Sequence, residues 1–193
     1  RTIRRIVLSS TYRQSAAAGS SKRGRDPDNS FYARGPRQRL VAELVRDNAL
    51  AISGLLSTRM FGPPVRPVQP AKVWRVIGSV DNTYYLSKGE DLYRRGIYTL
   101  WRRSAHYPSF ANFDAPNRGA CTVNRQSSNT PLQALTLMND PAYVEMTRAF
   151  AARIQEETSG QGAQQRLEHA FRLALCRRPG VDELEILRKI YFT

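Results

Sequence analysis

Apolar residues recur at helical spacing in several stretches of this chain, and clusters of Pro and Gly separate them. Ile3, Ile6 and Val7 stand at i, i+3, i+4, so residues 1–13 read as the end of an amphipathic helix. The run TYRQS, Thr11–Ser15, closes it. From Ser15 to Arg37 the chain is small, polar and basic, with Gly19, Gly24, Pro27, Gly35 and Pro36. That composition predicts a mobile loop over about 15–37, with a turn at Asp26-Pro27-Asp28-Asn29. The clearest long helix is expected over Arg39 to Leu56, with its stripe on Leu40, Val41, Leu44, Val45, Asn48, Ile52, Leu55 and Leu56. Gly54 weakens the pattern near its end. Gly62-Pro63-Pro64, Pro67 and Pro70 then exclude helix, and residues 59–72 read as an ordered, extended connection.

The middle of the chain is less periodic. Val73, Trp74, Val76, Ile77 and Val80 lean weakly towards extended structure. Gly96-Ile97-Tyr98-Thr99-Leu100-Trp101 is rich in β-branched and aromatic residues and predicts a short strand, with Cys121-Thr122-Val123 as its pairing candidate. The last third is helical. Thr130-Pro131-Leu132-Gln133 has the form of a capping box with Pro at the first helical position, and the helix it opens should end near Asn139. Asp140-Pro141 starts another, striped by Tyr143, Met146, Phe150 and Ile154 and ended by Gly160 and Gly162. Leu167, Ala170, Phe171, Ala174 and Leu175 mark the next; Leu184, Leu187 and Tyr191 mark the last. Asp182, Glu183 and Glu185 lie in the first turn of that last helix, and Arg188 and Lys189 in its final turn, the order a helix dipole favours. No internal repeat is present. The expected fold is mainly α: an irregular helical domain with long ordered loops and a small β element.

Length and composition fit one domain, 1–193, with its own core: 193 residues, 41% of them apolar. The chain opens on Arg1 in what reads as mid-helix, so it is expected to be a fragment of a larger multidomain protein. No apolar run approaches the roughly 20 residues a membrane span needs.

Charge sharpens the picture. The formal net charge is +14, and residues 1–39 carry ten basic side chains against two acidic ones. Residues 126–193 are balanced. Nearly all the basic groups are Arg, whose planar fork suits carboxylate, phosphate or sulfate. The functional reading is an anionic partner: nucleic acid, acidic polysaccharide or a lipid surface. The plainer reading is a solvated surface with a preference for Arg.

Candidate chemistry is sparse. Cys121 and Cys176 form no CxxC, which excludes covalent haem attachment within the chain. Two scattered Cys and two scattered His make a four-ligand zinc site unlike this sequence. The cysteines pair if the protein is exported, or remain as two buried free thiols. Cys121 as a nucleophile would draw on Arg118 or Arg125, but nothing supplies a Cys–His arrangement. Arg94, Arg95, Arg102 and Arg103 flank the expected strand. Alternation puts Arg95, Ile97, Thr99, Trp101 and Arg103 on one face, and Arg94, Tyr98 and Arg102 on the other. An Arg–Trp–Arg surface suits a sulfated sugar; the alternative is Trp101 in the core and the arginines paired with Asp114 or Glu43. Asp114, in the turn Phe113-Asp114-Ala115-Pro116, and His106 are the weak candidates for acid–base work. Each has a plainer role, as a turn cap and as a loop histidine. His169 reads as surface or core edge. Phosphate-cradling Gly loops, HExxH and GxSxG are absent.

The order of motifs resembles the planctomycete, cytochrome-c-associated PSD-one family, a domain of unknown function (number 1553). TYRQS at Thr11–Ser15 matches, as does RQRLVAELVRDNALAISG at Arg37–Gly54. YRRGIYTLWRR at Tyr93–Arg103 and FDAPNRGACTVNRQSSNTPLQALTLMNDP at Phe113–Pro141 are the specific part. FRLALCRRPGVDELE at Phe171–Glu185 resembles the closing FxxxLxRxPxxxE pattern. Departures are mild: Gly96 stands where Ser is usual, Met138 where Leu is, and NSFYARGPRQ, Asn29–Gln38, replaces a longer charged run. The resemblance implies an exported parent, periplasmic or at the cell surface, with haem c on a different domain, and work on complex polysaccharides by association. The partners it implies are the neighbouring cytochrome c and helical domains of the same polypeptide. No residue roles transfer. Three functions remain open: a non-catalytic accessory module that docks the haem domain or binds an anionic polysaccharide; a polysaccharide-active or redox-coupled enzyme domain; and, on charge alone, a nucleic-acid-binding module.

Overall fold

Local capping chemistry sets several helix ends. In the computed structural model, which describes all residues except Ala18, Arg37, Lys72, 74–83, Ser104, Thr193 and the side chain of Lys22, eight α-helices are present. They are α1 (Thr2–Leu8), α2 (Ser20–Arg25), α3 (Ala42–Ser53), α4 (Pro108–Asn112), α5 (Pro131–Asn139), α6 (Pro141–Glu157), α7 (Ala163–Leu175) and α8 (Val181–Tyr191). The mainly α class is borne out. The chain divides into two units, Arg1–Arg39 and Leu40–Thr193.

In the first unit α1 stops at Leu8, where Ser9 turns out of helical geometry and its Oγ donates to the Ile6 carbonyl. The segment read as a loop contains α2. A hydrogen-bonded loop follows it. Asp26, 8% exposed, accepts the Ser30 and Phe31 N–H groups on its two carboxylate oxygens.

In the second unit α3 packs on α6, α4 and a 3-10 turn at Gly96–Tyr98. Gly54 closes α3 with φ +79, and the Leu55 N–H reaches back to the Leu50 carbonyl. That left-handed residue and long return bond are a glycine C-terminal cap. The buried face of α3 is Ala42, Arg46, Leu50 and Ser53. The expected stripe is corrected here: Leu40, Val41 and Leu44 are exposed. The face turned because Arg46 is 2% exposed, its Nη2 donating to the Leu92 carbonyl at 2.7 Å and its guanidinium lying near the Tyr107 ring. Two apolar clusters form the core. Ala42, Tyr107, Phe110 and Phe113 make one, with Trp101 packed against it; Leu50, Ala142, Tyr143 and Met146 make the other.

The predicted strand is also corrected. Among the described residues Gly96–Tyr98 is a 3-10 turn, and the β element reduces to isolated bridges, Val65 with Thr99 and Ser57 with Arg94 among them. Two contacts override the β propensity. The Gly96 N–H donates to Asp47 Oδ1 at 2.6 Å, and a Cβ on Gly96 would come within 2.9 Å of the Glu43 carbonyl oxygen. Helix α3 lies too close for a ladder partner. Among the described residues Cys121-Thr122-Val123 makes no bridge; it is exposed loop. The connection through Val65 is extended, as its prolines dictate. Of the weak extended tendency further on, Trp74, Val76, Ile77 and Val80 lie outside the described residues.

The helical last third follows its caps. The Thr130 N–H meets Gln133 Oε1 at 3.3 Å, closing the capping box of α5. Asp140 Oδ1 accepts the Ala142 N–H at 2.9 Å and begins α6 at once. Tyr143, Met146 and Ile154 are buried on α6.

Candidate functional site

The segment Asp114–Thr130 leaves α4 and returns to start α5, and its geometry decides what the Arg-aromatic run can do. Both ends are tied. Asp114, in left-handed geometry at φ +60, accepts the Ser128 N–H and Oγ at 2.8 Å. Gln133 Nε2 donates to the Asn112 carbonyl and to Ser128 Oγ. In the middle, Arg125 grips Glu43 on α3 with both terminal nitrogens, at 2.7 and 3.1 Å. The loop is therefore a fixed structure across the start of α3.

This fixed loop lays Arg118 over Trp101, the guanidinium carbon 4.3 Å from the ring centroid. Arg118 itself has φ +57, a conformation only the surrounding contacts hold. The Trp101 ring is 5.4 Å from His106 and 6.2 Å from Phe110, so it is clamped from the core while a cation covers it. Two adjoining cavities open along the loop. One, about 340 Å³, is lined by Asp114, Asn117, Thr122, Asn124 and Arg125; the other, about 380 Å³, by Pro116, Arg118, Cys121, Thr122 and Arg125.

The structure separates the sequence candidates. Arg94 is 1% exposed and donates to the Phe61 and Pro63 carbonyls, with its guanidinium over Tyr98. It belongs to the core and not to an anion-binding surface. Arg95 is half-buried near Asp47, and Arg102 and Arg103 are exposed. The two strand faces do not exist, and the partner of Trp101 is Arg118, from beyond the expected strand. His106 Nε2 lies 3.3 Å from the Asn117 carbonyl, and Asp114 is engaged by Ser128. Cys121 and Cys176 are free and exposed. His169 pairs with Glu157 at 2.6 Å. Among the described residues no group of three or more His, Cys, Asp and Glu could hold a metal ion, and no helix is long and apolar enough to cross a membrane.

A family model described as "Protein of unknown function (DUF1553)" matches residues 1–191. The chain belongs to that family. No curated protein and no solved structure matches it. In this DUF1553 chain the motif Phe113–Pro141 thus contains the loop that covers Trp101, followed by α5. Sequence reasoning missed Arg118 and Arg125 as members of the site. Their Asn-Arg-Gly and Asn-Arg-Gln settings are turn-like, but nothing local says that the turn folds back on Trp101.

The Glu43–Arg125 pair gives the DUF1553 loop a pH dependence. Burial pushes the Glu43 carboxyl up, but the Arg125 hydrogen bonds and the charges of Arg125 and Arg118 outweigh it, and the group sits below its ordinary value. A lowered folded value means stability present above the unfolded-chain pKa of about 4.3 and lost as pH falls through the folded one. Arg125 is 38% exposed, so solvent screening keeps the pair below about 1 kcal/mol. Glu43→Gln should lower the urea midpoint slightly at pH 7, and the gap to the wild type should narrow at pH 3. An equal gap at both pH values would remove the charge from the explanation.

Proposed function

We propose that this chain is a non-catalytic accessory module that holds an anionic polysaccharide on the Trp101–Arg118 surface, within an exported parent that carries haem c on another domain. One observation carries the reading: a pinned loop holds an exposed guanidinium against a clamped indole, beside open cavities that Arg125 also lines. Stacking fixes the plane of the Arg118 fork, which favours a planar or tetrahedral oxyanion such as carboxylate or sulfate. Arg102 and Arg103 add exposed positive charge next to Trp101 in the chain. The commitment of Asp114 to Ser128 supports binding over acid–base catalysis, because a carboxylate anchoring a loop is poorly placed to trade protons. A periplasmic or surface location and docking with the neighbouring cytochrome c domain belong to the same proposal.

The test is retention on an immobilised sulfated polysaccharide, eluted by salt. Trp101→Ala, Arg118→Ala and the pair Arg102→Ala with Arg103→Ala should each elute at lower salt than the wild type, and a neutral polysaccharide should retain none of them. Unchanged elution of all three variants would end this reading.

A further inference from the structure

The first unit holds a further concavity, of about 590 Å³, between the end of α1 and the loop after α2. Its lining includes Ile6, Thr11, Tyr12, Gln14, Tyr32 and Gly35. The volume falls within the range of small-molecule pockets, about 300–1,000 Å³. Its back wall is built by close approach: the Gly35 N–H meets the Ser15 carbonyl at 3.0 Å, and a Cβ on Gly35 would sit 2.5 Å from the Gln14 carbonyl oxygen.

The loop that supplies Tyr32 is held from within. Asp26 binds the Ser30 and Phe31 N–H groups, and Asn29 exchanges hydrogen bonds with the Arg34 backbone through both ends of its amide. The Arg34 guanidinium is taken up by the Asp26 and Pro27 carbonyls. Asn29 and Tyr32 both adopt left-handed geometry, φ +56 and +51. For a tyrosine that conformation is costly, and the network keeps it there. The product is a pair of displayed rings, Tyr12 and Tyr32, 63% and 69% exposed, lining one concavity.

The chemistry inside differs from that around it. Among the described residues that line the concavity Arg34 alone is charged, and its guanidinium is engaged. The walls are aromatic and aliphatic, with the Thr11 hydroxyl and the Gln14 amide. Beyond Arg34, residues 1–39 hold nine basic groups against Asp28 and the engaged Asp26. An uncharged ring with hydroxyls fits the interior, and a chain bearing negative charge fits the surroundings.

We infer that this concavity is a glycan subsite, in which Tyr12 and Tyr32 stack on a pyranose ring of an anionic polysaccharide while Thr11 and Gln14 meet its hydroxyls. The inference rests on the polysaccharide reading above and adds a location and a ligand unit to it.

Calorimetric titration of the 193-residue chain with a size-defined sulfated oligosaccharide, and with inorganic polyphosphate of matched charge, tests it. The wild type should prefer the oligosaccharide. Tyr12→Ala and Tyr32→Asn should each weaken oligosaccharide binding about tenfold, the effect of losing one aromatic anchor, and leave polyphosphate binding unchanged. Asn tolerates the left-handed geometry at position 32, so this variant keeps the loop. Oligosaccharide binding equal to wild type in both variants overturns the subsite; if Arg118→Ala still weakens it, the Trp101 surface stands alone. Equal binding of sugar and polyphosphate, insensitive to every variant, overturns both and leaves charge only. Anionic lipid vesicles bound by the wild type and released by Tyr12→Ala, with no preference for sugar, would also overturn it and make the rings a lipid contact.

Discussion

Arg94→Ala should lower stability by about 3–5 kcal/mol, read from the urea unfolding midpoint, because it removes a fully buried side chain that donates to two backbone carbonyls and leaves a void. Arg94 is 1% exposed. It donates through separate nitrogens to Phe61 and Pro63, and Tyr98, beneath its guanidinium, accepts the Phe61 N–H at 2.8 Å. Phe61 and Gly62 between them carry φ +64 and +98. The guanidinium and phenol together therefore hold a turn that its own backbone geometry disfavours. A carbonyl left without its donor costs about 1–3 kcal/mol where water stays out, and the lost side-chain volume adds to that. Arg94→Lys should fall between the two, since an ammonium cannot fork to two carbonyls with fixed spacing. Salt elution from sulfated polysaccharide should be unchanged for whatever fraction stays folded. An alanine variant within about 1 kcal/mol of wild type would show that water reaches these carbonyls.

Arg94 also shows how far the chain could be read from its residues. Four arginines around a Trp look like one surface in the sequence, and nothing local distinguishes the one that enters the core. The difference is tertiary: Phe61 and Pro63 bring two carbonyls to Arg94 that no other described residue is shown to satisfy. The same holds for α3, whose apolar stripe points one way while burial of Arg46 turns the helix another. Gly96 is a third case, where the approach of Glu43 outweighs a run of β-formers. By contrast, the ends of α5 and α6 were legible, because Thr130-Pro131-Leu132-Gln133 and Asp140-Pro141 solve a local problem: unpaired N–H groups within a few residues of the side chain that meets them. The candidate site was half legible. Trp101 and its basic neighbours stand out in composition. Arg118 does not, because its contact depends on a left-handed turn in a loop anchored by Ser128 and Glu43.

Phe110→Ala should cost about 3–5 kcal/mol and should also reduce retention on sulfated polysaccharide, by loosening the ring beneath the site. Phe110 is 1% exposed; its ring meets Tyr107 edge-on at 5.0 Å and lies nearly parallel to Trp101 at 6.2 Å. Removing it opens a hole between α3 and α4 and takes away what keeps the indole from turning inward. Arg118 then stacks on a mobile platform, and an oxyanion must order both before it binds. Phe110→Leu separates the two effects. It refills most of the volume, so its cost should be about 1.5 kcal/mol or less, with elution close to wild type. If Phe110→Ala is destabilised but elutes like the wild type at a temperature where both are folded, Trp101 needs no support and its rigidity is not what aims Arg118. If elution falls in Phe110→Ala and in Trp101→Ala alike, while Arg94→Lys leaves it intact, the clamp on the indole is part of binding and the buried arginine belongs to the fold alone.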